Sequence, residues 1–224
     1  MHHTVKVKEN VHWIGVNDRK THLFENLWPL DNGISYNSYL IDDEKVALID
    51  TVNYSSTEEY LDKIRSVIGG DRSVDYLIVN HMEPDHSGAI RALVETYPNI
   101  RIVGNVKTFK IVEAYYGYKD NLYEVKNGDE LDLGQHKLKF FSTPWVHWPE
   151  TMMTYDQSDK ILFSGDAFGS FGSLDGGIFD DEINFDFYED EMRRYFSNIV
   201  GKYSNMVQKA FKKLGDLDIQ VVAS

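Results

Sequence analysis

Hydrophobic and polar positions alternate loosely from Val5 to Val16 and again from Tyr36 to Ile41, either side of the turn-like Leu30-Asp31-Asn32-Gly33. Period-two alternation predicts half-buried strands, and the apolar run inside Lys45-Val46-Ala47-Leu48-Ile49-Asp50 predicts a buried one. The period then changes. Leu61, Ile64 and Ile68 recur at helical spacing, and Gly69-Gly70 closes that helix. Ser55 and Ser56 each stand three positions before a glutamate, which predicts a capping box at its start. A strand at Asp75–Asn80 follows, then a helix carrying Ile90, Leu93, Val94 and Tyr97 and ended by Pro98. Ile100–Val103 is a further strand, and Asn105 caps a third helix holding Phe109, Val112 and Tyr116. In the second half, Lys137–Phe141 and Lys160–Phe163 predict strands. One long helix is predicted from Tyr188 to Leu214 on the stripe Met192, Phe196, Ile199, Tyr203, Met206 and Ala210, closed by Gly215. A last strand spans Leu217 to Ala223. Mixed α and β elements of this kind, without a linker or low-complexity segment, predict one domain over residues 1–224 with two facing sheets and helices outside.

Composition narrows the function. The chain has 224 residues, enough to bury a sizeable core, and 42% hydrophobic content excludes wholesale disorder. Lys and Arg number 23 against 36 Asp and Glu, a net charge of −13, so no basic footprint for nucleic acid exists. The chain has no cysteine, which excludes disulfides, thiolate zinc sites, cysteine nucleophiles and cysteine-ligated clusters. This fits a reducing, cytoplasmic setting. No apolar run approaches the roughly 18–20 residues of a membrane helix, and no signal peptide is expected ahead of Val5. Between Asp175 and Glu191 lie eight acids and no Lys or Arg. This reads as a solvated loop leading into a helix N-terminus, where acids complement the helix dipole, or else as a docking face for a basic partner.

The segment Asn80-His81-Met82-Glu83-Pro84-Asp85-His86-Ser87-Gly88 carries the chemistry. It lies between a predicted strand and a predicted helix. In extended backbone, His81, Glu83 and Asp85 point one way, and a turn at Pro84-Asp85 swings His86 toward the same point. Two imidazoles and two carboxylates suit zinc or iron. Two strand-end residues can converge on the same rim: His147 in Pro144-Trp145-Val146-His147-Trp148-Pro149, and Asp166 in Phe163-Ser164-Gly165-Asp166-Ala167.

The run His81 to His86, then His147 with Trp148-Pro149, then Ser164-Gly165-Asp166-Ala167-Phe168-Gly169, resembles the metallo-β-lactamase-like domain of flavodiiron proteins. Leu23-Phe24-Glu25 and Gly33 to Ile41 resemble that family too, so the likeness covers essentially the whole chain. The resemblance implies an α/β fold of the αββα sandwich kind and a non-haem site of two iron ions. It further implies reduction of O₂ to water, of NO to N₂O, or both. By position it implies His81, Glu83 and His147 as ligands of one iron, Asp85 as a ligand of the other, and Asp166 as the bridging carboxylate. His86 matches a position that coordinates in some members only. His22 resembles a histidine of the substrate pocket or one supporting the ligands, and Trp148 stands near the expected route of electron entry. Zinc hydrolases of the wider superfamily carry histidine where this chain has Glu83. A carboxylate offsets the added charge of ferric iron, which favours iron while leaving zinc as a substitute.

The pattern departs from the family in two respects. The family continues into a flavodoxin-like domain carrying FMN, and nothing follows Ser224 here; its last histidine ligand also falls just beyond a segment resembling Val221-Val222-Ala223-Ser224. Both departures point to a piece of a longer flavodiiron protein. Electrons are then expected from a flavodoxin-like domain, rubredoxin or a flavin reductase, and the family implies a head-to-tail homodimer. The competing functions are an O₂ sensor that binds without turnover and a zinc hydrolase using metal-bound hydroxide.

Overall fold

Alternation along the strands sorts their side chains onto two faces, and both faces are covered. In the computed structural model, which describes residues 3–224, the strands are β1 (Val5–Lys8), β2 (Val11–Trp13), β3 (Val16–Asp18), β4 (Leu23–Phe24), β5 (Trp28–Pro29), β6 (Ile34–Tyr36), β7 (Tyr39–Ile41), β8 (Ala47–Ile49), β9 (Tyr76–Ile78), β10 (Arg101–Gly104), β11 (Leu122–Glu124), β12 (Glu130–Asp132), β13 (Lys137–Ser142), β14 (Met152–Asp156), β15 (Ile161–Phe163) and β16 (Val221–Ala223). The helices are α1 (Thr57–Ile68), α2 (Pro84–Ser87), α3 (Ile90–Thr96), α4 (Val106–Tyr116), α5 (Asp186–Tyr195) and α6 (Ser204–Leu214).

The two large sheets run β1-β2-β7-β8-β9-β10-β11 and β12-β13-β14-β15-β16, and two-stranded ribbons pair β3 with β6 and β4 with β5. Ile41, Ile49, Ile78 and Val103 of the first sheet share a core with Leu138, Phe140, Met152, Ile161 and Phe163 of the second. Their alternate neighbours Leu40, Leu48, Leu77 and Ile102 pack with Tyr60, Ile64, Ile90 and Leu93 of the helices. On the second sheet, Met153, Tyr155 and Leu162 share that outer core with Val207, Ala210 and Leu214. The expected αββα sandwich results. No helix among the described residues is long and apolar enough to cross a membrane.

Strands β8, β9 and β10 pair in parallel, so their C-terminal ends share one rim. Strand β14 escaped the sequence pattern because all five of its residues are buried, leaving no alternation to read. The capping box fails: Asn53 caps a short 3₁₀ turn at Tyr54–Ser56, and neither serine side chain caps α1. Asn105 caps α4 as expected, accepting from the N–H groups of Lys107 and Thr108.

The long helix expected from Tyr188 to Leu214 is interrupted. A π-turn occupies Phe196–Val200 and a 3₁₀ turn Gly201–Tyr203. The wider turn shifts the apolar face, so Tyr195, Ile199 and Val200 are buried while Phe196 is 44% exposed.

Candidate metal centre

Strand β9 leads through Val79-Asn80 into the loop bearing His81 and Glu83, and α2 carries Asp85 and His86. Asp50, just after β8 with φ +54°, pins this loop to its neighbour. Its Oδ1 accepts from the N–H groups of Asn80 (2.7 Å) and His81 (3.3 Å), and its Oδ2 faces His86 Nδ1 at 3.1 Å. Asn80 then ties the two sheets, accepting from Thr154 Oγ1 and donating to the Phe163 carbonyl. His147 comes from the loop after β13, and Asp166 from a 3₁₀ turn after β15. Gly165 takes φ +53° there, which an L side chain would resist.

These loops bring the six expected donors to one place. Glu83 Oε2 lies 3.1 Å from His81 Nε2 and 2.9 Å from His147 Nε2. Asp166 Oδ2 lies 3.0 Å from His147 Nε2 and 3.4 Å from His81 Nε2, and its Oδ1 lies 2.7 Å from His86 Nε2. Donor atoms of His81, Glu83, His147 and Asp166 all fall within 4.8 Å of one another. Asp85 Oδ2 stands 3.7 Å from His86 Nε2. Asp166 therefore sits between two groups: His81, Glu83 and His147 on one oxygen, His86 with Asp85 on the other.

The electrostatics follow from crowding unlike charges in a buried place. Burial disfavours the charged form of every member, and hydrogen bonds oppose it. For His81 the bonds to Glu150 and then Glu83 win, raising its pKa to about 10. His147 is raised to about 9 through Asp166 and Glu83. The two histidines hold Glu83 down at about 2 against burial, and Asp166 is held well below the usual carboxylate range by His86 and His147. Asp85 has burial as its largest cause and rises to about 7. Glu83 Oε1 and Asp85 Oδ1 are buried without a hydrogen-bond partner. An orphaned buried carboxylate oxygen is costly, and a cation is a partner that satisfies it.

Trp148 stands edge-on to the His81 ring, centroids 5.1 Å apart at 89°. His22 is exposed and lines an adjoining cavity of 670 Å³ that includes none of the six donors. Against Asp85, His86 and Asp166 lies a smaller cavity of 190 Å³, walled by Tyr36, Phe168 and Tyr195. Four residues that bear on the site were not singled out from the sequence. Asp50 had one signal, a carboxylate directly after a buried strand. Glu150 accepts from His81 Nδ1 at 2.8 Å, only three positions beyond His147. Buried Tyr195 lines the same cavity as Asp166, and burial first, then the Asp166 charge, pushes its phenol well above the ordinary value. Glu25 stands near Glu83, and burial together with that neighbouring carboxylate pushes its pKa up to about 7.

Residues 34–224 match the family model described as ODP family beta lactamase. An anaerobic nitric oxide reductase flavorubredoxin of Vibrio vulnificus is 36% identical over 221 residues, covering 97% of this chain and 44% of that protein. The flavodiiron protein of Giardia intestinalis superposes with a TM-score of 0.93 at 31% identity, over 99% of this chain and 54% of that one. Rubredoxin oxygen:oxidoreductase from Desulfovibrio gigas gives 0.93 at 33% identity, over 99% and 55%. The chain thus spans about half the length of these relatives.

Proposed function

Because the chain belongs to the ODP family of β-lactamase-like domains, we propose that it is the diiron domain of an oxidoreductase that reduces NO to N₂O, O₂ to water, or both. The observation that carries this reading is the position of Asp166, one oxygen turned to each of two donor groups. The donor set fits two ions of the iron or zinc type, mixing imidazole nitrogen with hard carboxylate oxygen and leaving two buried oxygens unsatisfied.

In this reading His81, Glu83 and His147 would hold one iron, Asp85 and His86 the other, with Asp166 between them. Iron would supply reducing electrons and Lewis acidity to bound NO or O₂. The chain's own residues set the stage. Glu83 and Asp166 bring negative charge to offset the ions. Asp50 holds the His86 ring in place through Nδ1. The cavity beside His86 gives a small molecule access to Asp85, His86 and Asp166. Glu25, raised to about 7 by burial and by Glu83, is placed to exchange a proton beside the site near neutral pH. Trp148 covers His81, and an entry point for electrons beside it is part of the reading, as is a substrate-side role for His22. The electron source would be a flavodoxin-like domain carrying FMN, rubredoxin or a flavin reductase, in a cytoplasmic homodimer.

The test is metal identity in protein purified without added metal, followed by stopped-flow mixing of the reduced protein with NO or O₂. About two irons per chain and consumption of either gas are expected. Zinc with esterase activity would overturn the assignment, and a stable O₂ adduct without turnover would replace reduction by sensing.

A further inference from the structure

We propose that Glu150 is the positioning residue for His81, a buried carboxylate that fixes the ring so that its Nε2 faces the metal side. The proposal rests on the reading of His81 as a ligand. Glu150 is 1% exposed, and its Oε1 accepts from two donors of one loop, the His81 Nδ1 at 2.8 Å and the Met82 N–H at 3.0 Å. One oxygen thus fixes both a ring and the backbone next to it. With the Nδ1 proton given to Glu150, the Nε2 lone pair is directed at Glu83 and Asp166. A carboxylate behind an imidazole also strengthens it as a ligand.

The carboxylate is not needed to hold its own loop. The backbone does that: the Glu150 carbonyl accepts from Asn105 Nδ2 at 2.6 Å, and the Thr143 carbonyl accepts from Thr151 Oγ1 at 2.5 Å. The Thr143 N–H donates to the Thr151 carbonyl at 3.0 Å. Glu150 Oε2 is buried with no hydrogen-bond partner. Both contacts of the carboxylate go to the loop that carries His81, through Oε1 alone. Asp50 behind His86 differs, because both its oxygens are engaged, one of them on two backbone N–H groups. Glu150 is therefore placed to act on a bound ion through the His81 ring.

The experiment compares the 224-residue chain with Glu150→Gln and Glu150→Ala, using Co(II) as the probe under anaerobic conditions. It reads Co(II) affinity, the melting temperature of the metal-free protein, and the exchange rate of the paramagnetically shifted His81 Nδ1 proton. Glu150→Ala is expected to weaken one of two Co(II) sites by about 10–100-fold and to speed exchange of that proton. Glu150→Gln, which keeps an acceptor and loses the charge, is expected to weaken the same site less. Because the His81 ring and the Met82 N–H lose their acceptor, Glu150→Ala is also expected to lower the metal-free melting temperature, so the selective loss at one of the two Co(II) sites is the decisive readout. Unchanged affinity in Glu150→Ala would overturn the proposal, as would equal weakening of both sites, which marks a residue that only supports the fold. Wild-type chain that takes up no Co(II) would defeat the metal-centre reading itself, and the proposal with it.

Discussion

Asp166 shows how much a single side chain organises. Its two oxygens contact three imidazoles, and its neighbours hold it ionised in a buried place. Asp166→Ala removes the one group shared by both donor sets, so metal content after anaerobic iron loading and desalting is expected to fall from two ions per chain to one or none. Full occupancy in that variant would reject the bridging role. Four of the six donors were legible because they crowd into six consecutive positions after a strand. His147 and Asp166 were weak signals alone and gained force only from the resemblance. Glu150 was invisible because its partner lies 69 positions away, and the Asp50–His86 contact spans 36. No local pattern reports such distances.

At the scale of elements, the short helix α2 presents His86 only because the chain behind it packs closely. A Cβ on Gly88 would come within 2.4 Å of the Tyr54 N and 2.9 Å of the Val52 carbonyl oxygen, both backbone atoms that cannot rotate away. Gly88→Ala is expected to destabilise the metal-free protein by about 1–3 kcal/mol in urea titration, with reduced iron uptake, because α2 must shift. A stability within error of wild type would show that the approach is less constrained than the geometry indicates. The helix and strand boundaries of the first half were largely readable, since caps and periods agreed with each other at Asn105 and Gly69. The break after Tyr195 was not. The sequence continues with helical spacing through Phe196 and Ile199, and a π-turn adds a residue to one turn without changing composition. Tyr195, the last residue before that turn, is buried against the cavity beside Asp166, while Phe196 is exposed.

Across the whole molecule, the two sheets are joined at both ends. The donors and Asn80 join them at one rim. At the other, before β8 begins, the His136 N–H donates to Asp43 of the first sheet's loop, and the His136 ring meets Asp156 of β14 at 2.7 Å. The Asp156 hydrogen bond is the largest cause of a raised His136 pKa, ahead of the opposing effect of burial. A histidine whose folded pKa exceeds its unfolded value contributes stability fully below about pH 6.5 and loses it as pH rises through the folded value. The urea midpoint of wild type minus that of His136→Gln should therefore shrink between acidic and alkaline pH. Taking the difference removes the site histidines, whose raised values act with the same sign. A difference independent of pH would mean that the imidazole contributes by packing alone. Facing sheets with helices outside were anticipated from the order of strands and helices and the αββα sandwich from the resemblance, whereas this far-end tie depends on residues brought together by the completed fold.

The small cavity touches Asp85, His86 and Asp166 but not His81, Glu83 or His147. The frame is therefore lopsided about Asp166: its Asp85–His86 side fronts open space, while on the other side the His81 ring is flanked by the rings of His147 and Trp148.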